Sequence, residues 1–311
     1  MPVNSSSSNV YATDSSLRHA LTIDVEDYFH VAAFDRTIAR SDWAAFESRV
    51  EVNTDKFLDL TAAQGVSATF FFLGWVAERF PHLVRKVAAA GHEIASHGYS
   101  HALVYQQTPD TFRAETADSK KLLQDLSQQP VTGYRAASYS ITRQSLWALE
   151  ILQELDFSYD SSIYPILHDR YGINGAPDTP HIVRLDSGAT ITEFPITTVN
   201  LMGYRLPIGG GGYFRLFPWG MTRLFLRQRL RQAPSPFVFY LHPWELDPDQ
   251  PRVQGAPLLS RFRHYNNLGK VAERLKALLE LYDFSTMQNV LADIGSLPTY
   301  HYAAARKNIA A

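Results

Sequence analysis

The chain has 311 residues, 45% of them hydrophobic and 19% charged, which is the composition of a globular protein with a sizeable core. Its formal net charge of −2 gives no electrostatic basis for binding nucleic acid or an anionic membrane. The chain has no cysteine. Disulfides, thiolate nucleophiles and Cys-ligated zinc are therefore excluded, and any metal must be held by histidines and carboxylates.

The first 18 residues are polar, include the run Ser5–Ser8 and lack the apolar segment of a secretory signal. We expect this segment to be disordered. No later stretch approaches the ~18 consecutive apolar residues of a membrane span. The sequence therefore predicts a cytoplasmic protein without a transmembrane segment.

Short apolar runs alternate with helical patterns along the rest of the chain. The predicted strands are 19–25, 67–73, 92–97, 132–138, 157–162, 190–196 and 237–242. Helical patterns cover 55–65, 80–91, 109–126, 145–155 and 267–282, and two of them end at Gly65 and Gly91, as helix C-caps often do. This alternation favours an α/β fold with a mostly parallel sheet or barrel.

Nearly every predicted strand ends in reactive or polar side chains. These are the residues from Asp24 to Asp27, then His97, Arg135, Asp160 and His242. In parallel α/β barrels the active site forms at the carboxyl ends of the strands. Packing alone does not explain five such strand ends, so the pattern predicts a functional site.

His97 and His101 in "SHGYSH" are four residues apart and follow a predicted strand. Such a pair can present two imidazoles to one metal ion, and a carboxylate from another strand completes a facial two-His, one-carboxylate site. The acidic stretch "DVED" offers that ligand and a free general base. Asp24 and Glu26 share a strand face, but the residues alone leave open whether Glu26 or Asp27 is the ligand.

Five motifs in order, "LTIDVED", "SHGYSH", "GYRAASYS", "YDSS" and "YLHPWE", resemble those of the polysaccharide deacetylases, carbohydrate esterase family 4 with its NodB-type domain. The resemblance runs from about residue 20 to about 285. It is closest to the branch found in exopolysaccharide gene clusters, including exosortase-associated ones, which has its own C-terminal extension.

The resemblance implies a distorted (β/α) barrel, usually of seven strands. It also implies hydrolysis of N-acetyl groups on amino sugars with one divalent metal, most often zinc, with cobalt, nickel or iron as alternatives. We expect a barrel over 19–285, an inserted region over about 164–235 and an extension over 286–311. The expected partner is an N-acetylated polysaccharide or oligosaccharide, or a precursor of one.

Within the resemblance, Asp24 matches the catalytic base, and His97 and His101 match the metal histidines. The usual metal-binding aspartate directly follows the base, but Val25 stands there in this chain. Glu26 or Asp27 must therefore replace it, and the acid-x-acid spacing of some relatives favours Glu26.

Three further positions match by the same resemblance. Arg135 matches the arginine that orients the base, and His242 matches the general acid that protonates the leaving amine. Asp160 matches the acid that supports this histidine or the arginine, and Trp244–Glu245 offers His242 an alternative support. Ala137 replaces the usual proline two residues after the arginine. This change loosens the loop without removing a functional group, because the oxyanion donor is expected to be a main-chain N–H near Ser138.

We expect four residues to contact the substrate, namely Ser138, Tyr139, Tyr213 and Trp244. Tyr213 follows the four-glycine tract 209–212, which we interpret as a loop near the site. Two other functions stay open: hydrolysis of another C–N bond in a small cyclic amide or ureide, and carbohydrate binding without catalysis. The sequence does not determine the oligomeric state.

Overall fold

The computed structural model describes residues 17–168 and 170–302 of the chain. These residues form an α/β fold in which strands and helices alternate through the first half. The strands are β1 (His19–Val25), β2 (Thr69–Phe72), β3 (Glu93–Ser96), β4 (Gly133–Tyr134), β5 (Tyr159–Asp160), β6 (His181–Arg184), β7 (Thr190–Glu193), β8 (Thr198–Leu201), β9 (Tyr204–Pro207), β10 (Val238–Leu241), β11 (Phe284–Ser285) and β12 (Thr299–Tyr300).

The α-helices lie mainly between consecutive parallel strands. They are α1 (Val50–Gln64), α2 (Gly74–Arg79), α3 (Pro81–Ala89), α4 (Pro109–Ser127), α5 (Trp147–Glu154), α6 (Gly211–Leu216), α7 (Trp219–Gln232), α8 (Leu258–Tyr265), α9 (Val271–Leu279) and α10 (Met287–Asp293). Gly65 ends α1 with φ +64°, which confirms the predicted cap. Among the described helices, none has the length and apolar character needed to cross a membrane.

Seven strands follow one another in parallel, in the order β10-β1-β2-β3-β4-β5-β7. They coincide with the seven strands predicted from the sequence. All seven residues of β1 are buried, as expected of a strand covered on both faces of a parallel sheet. Because these strands are parallel, their carboxyl ends lie at the same edge and bring the polar residues predicted there into one region.

The first and last strands of this path, β10 and β7, are joined by contacts that are not part of a regular strand ladder. The hydroxyl of Thr197, which follows β7, donates to the carbonyl of Val238 in β10 at 2.6 Å and accepts from its N–H at 2.9 Å. Gly210 also forms a short parallel bridge with Tyr240. These contacts bring the two ends of the seven-strand path together, as in the distorted barrel that the resemblance implied.

The remaining strands surround this path. In the predicted insertion over about 164–235, β6 pairs antiparallel with β7, and β8 and β9 form a separate hairpin. In the predicted C-terminal extension, α10 contacts β1 and β12 pairs with β6, so residues 286–300 pack on the same sheet. Of the segment 1–18 that was predicted to be disordered, residues 1–16 lie outside the described residues.

Candidate metal centre and active site

Glu26, His97 and His101 come together at the carboxyl ends of β1 and β3. All three are buried, and each offers a ligand atom within 4.8 Å of the others. Nδ1 of His97 lies 2.8 Å from the carbonyl oxygen of Arg135, and donation of the ring proton to that carbonyl leaves Nε2 as the free donor atom. His101 sits in a left-handed turn with φ +55° that brings its ring back toward His97.

The three side chains fit a divalent metal. Oε2 of Glu26 is fully buried and lies 3.0 Å from Nε2 of His101, but its contacts do not have hydrogen-bond geometry. A buried carboxylate oxygen without a hydrogen bond is costly unless a cation balances it. Two imidazoles and one carboxylate are a typical donor set for zinc and for iron, cobalt or nickel.

Asp27, the other candidate ligand, turns away from this cluster. Its Oδ2 accepts hydrogen bonds from the Ser48 hydroxyl at 2.6 Å and from the N–H groups of Arg49 and Val50 at 2.9 and 3.2 Å. Burial raises the pKa of Asp27 to about 6, although these hydrogen bonds oppose the shift. Asp27 thus holds the start of α1, and of the two candidate carboxylates it is Glu26 that lies beside His97 and His101.

Asp24 forms a buried ion pair with Arg135. Nη1 of Arg135 lies 2.7 Å from Oδ1 of Asp24 and also donates to the Thr22 hydroxyl at 2.8 Å. The rest of the guanidinium group contacts Ser161 and lies over the ring of Phe71 at 4.2 Å. Arg135 is therefore fixed on all sides and holds the Asp24 carboxylate in one orientation.

His242 faces the same cluster from the end of β10. Its Nε2 lies 3.2 Å from Oε1 of Glu26 and 4.0 Å from Oδ2 of Asp24. On its other side, Nδ1 contacts Oε2 of Glu245 at 2.9 Å. Burial would lower the pKa of His242, but the hydrogen bond to Glu245 and the negative charges of Glu26 and Asp24 raise it to about 9.

Asp160 does not contact His242. Its carboxylate accepts hydrogen bonds from the Ser162 hydroxyl at 2.5 Å and the Ser162 N–H at 3.1 Å, and it interacts with buried Glu193. Of the two supports for His242 that the resemblance implied, Glu245 therefore contacts the histidine and Asp160 does not. Glu245 is in turn bound by Arg215, whose Nε donates at 2.7 Å. Nothing in the residues around Arg215 signalled that it would be buried here.

A cavity of about 340 Å³ opens beside these groups. Of the four predicted substrate residues, Ser138, Tyr139 and Trp244 line it, whereas Tyr213 is outside its lining. Ser138 and Tyr139 have left-handed backbones with φ +51° and +55°. Among the described groups, none accepts a hydrogen bond from the Ser138 N–H, so this donor is free to bind a ligand.

Tyr164 and Tyr240 form a wall of the cavity with Tyr139, a feature that the sequence analysis missed. The ring centre of Tyr139 lies 5.2 Å from that of Tyr164 and 5.3 Å from that of Tyr240, with the rings edge to face. The glycine tract explains how Tyr240 fits: a Cβ at Gly210 would lie 1.9 Å from the Tyr240 carbonyl oxygen. The glycines therefore pack behind this wall instead of contacting a ligand themselves.

Comparison with known proteins gives two family matches. Residues 36–158 match the family described as polysaccharide deacetylase, and residues 161–292 match a domain of unknown function, DUF3473. The first match contains His97, His101 and Arg135, and the second contains His242 and Glu245, whereas Asp160 lies between the two matches.

Individual relatives are similar over part of their length. A peptidoglycan-N-acetylglucosamine deacetylase of Bacillus cereus is 35% identical over 98 residues, 31% of this chain and 36% of the relative. A peptidoglycan deacetylase of Helicobacter pylori is 29% identical over 152 residues, 49% of this chain and 47% of the relative. The chain thus spans less than half the length of these curated relatives.

The fold is shared with a crystal structure from Mycobacterium smegmatis, of a protein assigned to the polysaccharide deacetylases. It superposes with a TM-score of 0.62 at 20% identity, over 94% of this chain and 96% of the other. The family match, the similar relatives and this fold agree with one another. Residues 36–158 thus resemble a polysaccharide deacetylase domain, and the described chain has the NodB-like α/β fold.

Proposed function

We propose that the protein is a metal-dependent hydrolase that removes N-acetyl groups from amino sugars of a polysaccharide or its precursor, with a role in exopolysaccharide production. One observation carries this proposal: Glu26, His97 and His101 line the same cavity as His242 and Asp24, the partner of buried Arg135. The names of the curated relatives, which are peptidoglycan and chitooligosaccharide deacetylases, support the same substrate class.

Amide hydrolysis needs an activated water and a protonated leaving group. A divalent metal held by Glu26, His97 and His101, for which zinc is our first expectation, would lower the pKa of water and polarise the acetyl carbonyl. Asp24 is placed to take the proton from the attacking water. Arg135 holds the Asp24 carboxylate in its orientation through the 2.7 Å contact.

The other groups act on the tetrahedral intermediate and the leaving amine. The free N–H of Ser138 is placed to donate to the oxyanion, and losing one such donor typically costs ~100-fold in rate. His242 carries a proton on Nε2, held by the Glu245 contact at Nδ1, and gives it to the sugar nitrogen as the C–N bond breaks. The products are acetate and a free amino sugar.

Metal content and acetate release test the proposal together. We expect about one equivalent of divalent metal per wild-type chain, loss of that metal in His101→Ala, and acetate release from N-acetylated chitooligosaccharides only when metal is bound. His82→Ala is the matched control, because His82 is exposed and pairs with Glu51 on the surface. Wild type without metal after zinc or cobalt is supplied would contradict the proposal.

Two results would instead support the other functions. A metal-loaded protein that binds oligosaccharides without releasing acetate would indicate a carbohydrate-binding role. A protein that hydrolyses small cyclic amides or ureides faster than N-acetyl sugars would indicate another C–N bond as the substrate. Each result would replace the deacetylase proposal.

A further inference from the structure

Helix α8 exposes an apolar face beside the cavity. Leu258, Leu259 and Phe262 have exposed fractions of 81%, 59% and 57%, which is unusual for large apolar side chains so close together in a chain. We call these three residues the α8 face. None of them lines the cavity, so the proposed reaction does not account for their exposure.

The inner side of α8 is firmly attached to the active site. His264 is buried and stacks on Trp244 with ring centres 4.2 Å apart, and it contacts Phe34 at 4.8 Å. Trp244 and the neighbouring Arg263 both line the cavity. At 3.6 residues per turn, the α8 face lies on the side of the helix opposite His264. It therefore points outward at the rim of the cavity.

The Asp, Glu, Lys and Arg residues in the segment that contains α8 are all basic. Residues 250–272 contain no Asp or Glu and four basic residues: Arg252, Arg261, Arg263 and Lys270. Arg261 and Arg263 flank the apolar side chains on the two sides of the helix. The net charge of −2 for the whole chain hides this local cluster. An apolar stripe bordered by arginines is the pattern of helices that lie in the headgroup region of anionic membranes.

We propose that the α8 face docks the protein on an anionic lipid surface, with the mouth of the cavity at the level of the headgroups. The apolar side chains enter the boundary between headgroups and acyl chains. Arg252 and Arg261 pair with lipid phosphates. In this position the cavity takes a saccharide presented at the membrane surface.

Vesicle flotation of the full chain tests the docking independently of catalysis. We expect the wild type to bind phosphatidylglycerol vesicles but not phosphatidylcholine vesicles, and to be released by salt because screening weakens the arginine contacts. The triple variant Leu258→Ser, Leu259→Ser, Phe262→Ser should bind at least ~10-fold more weakly. The double variant Arg252→Gln, Arg261→Gln should bind the vesicles about fivefold more weakly for each arginine removed.

Two controls show that the effect belongs to α8. Met202→Ser with Tyr204→Ser removes two equally exposed large side chains from the β8–β9 hairpin and should leave vesicle binding unchanged. The triple α8 variant should keep its circular dichroism, its metal content and its acetate release from soluble chitooligosaccharides. These readouts separate failure of docking from failure of the deacetylase proposal.

Three outcomes would overturn the docking proposal. The first is that wild type does not bind phosphatidylglycerol vesicles at low salt. The second is that the triple variant binds them as well as wild type does. The third is a wild type that is dimeric by light scattering and a triple variant that is monomeric, without vesicle binding by either, because the face would then contact a second copy of this chain.

Discussion

Glu245 connects His242 to a buried cation. Its carboxylate contacts Nδ1 of His242 at 2.9 Å and Nε of Arg215 at 2.7 Å, and its other interaction is with the N–H of His242 at 3.0 Å. Burial would raise the pKa of Glu245, but Arg215 and His242 hold it below its usual range. The carboxylate of Glu245 therefore orients His242 and favours its protonated form.

At the scale of this residue, we expect Glu245→Gln to lower kcat for acetate release by ~10- to 100-fold, because a neutral amide no longer stabilises the protonated imidazole. Metal content should stay at the wild-type value, since Glu245 is not a ligand. The melting temperature should also fall, because Arg215 loses its carboxylate. Asp55→Asn, which removes an exposed partner of Lys86, is the control. An unchanged kcat in Glu245→Gln would contradict this role.

The sequence indicates which side chains converge on the cavity, but not which neighbouring residues hold each of them in place. Asp24, His97, Arg135 and His242 follow apolar runs, so their convergence could be inferred from the parallel strands alone. The choice between Glu26 and Asp27 could not, because it depends on hydrogen bonds from Ser48, Arg49 and Val50, more than 20 residues away. The position of Asp160 similarly depends on Glu193 in another strand.

At the scale of elements, the apolar runs predicted the seven parallel strands but not the other described strands. The strands that were not predicted lie in segments rich in glycine, proline and polar residues; they are β6, β8, β9, β11 and β12. Their pairing is decided by neighbours already in place, such as β7 beside β6. A local pattern does not contain that information.

The glycine tract gives a prediction at this scale. Gly211 has φ +54°, and a Cβ there would lie 2.7 Å from the Tyr240 hydroxyl, so Gly211→Ala should displace that hydroxyl from the cavity wall. We expect kcat/KM for N-acetylated oligosaccharides to fall about tenfold with unchanged metal content.

A matched variant checks the Gly211 prediction. Gly220→Ala lies in α7, where an added Cβ meets nothing within 4 Å, and it should leave kcat/KM unchanged. Gly210→Ala should instead reduce the yield of folded protein, because its Cβ would meet main-chain atoms of Tyr240. If Gly211→Ala has the kinetics of the wild type, Tyr240 is not part of the substrate wall.

At the scale of the whole molecule, the pair Asp160–Glu193 makes stability depend on pH. Both carboxyl groups are buried between β5 and β7, and burial raises the pKa of each, with the mutual interaction raising Glu193 further. A raised pKa means that the folded state keeps a proton that the unfolded chain has already released. The free energy of unfolding therefore decreases as pH rises above the ordinary glutamate value of 4.5.

Glu193→Gln should remove most of this dependence. The amide keeps an acceptor for the Ile163 N–H and offers a donor to Asp160, without a proton to lose. We expect a melting temperature at pH 8 above that of the wild type, by ~2–4 °C for each kcal/mol gained, and no difference near pH 4. Glu154→Gln, at an exposed ion pair, is the control. Equal pH dependence in both proteins would show that the pair does not share a proton.

The two family matches meet between residues 158 and 161, in the middle of the parallel sheet. The segment before that point lacks β10, the hydrogen-bonded neighbour of β1, and the segment after it lacks His97 and His101. A gene cut at this boundary would thus yield two pieces with unpaired sheet edges, each prone to aggregate. The region of unknown function therefore supplies the strands that complete the sheet begun by the first match, and we expect neither half to fold without the other.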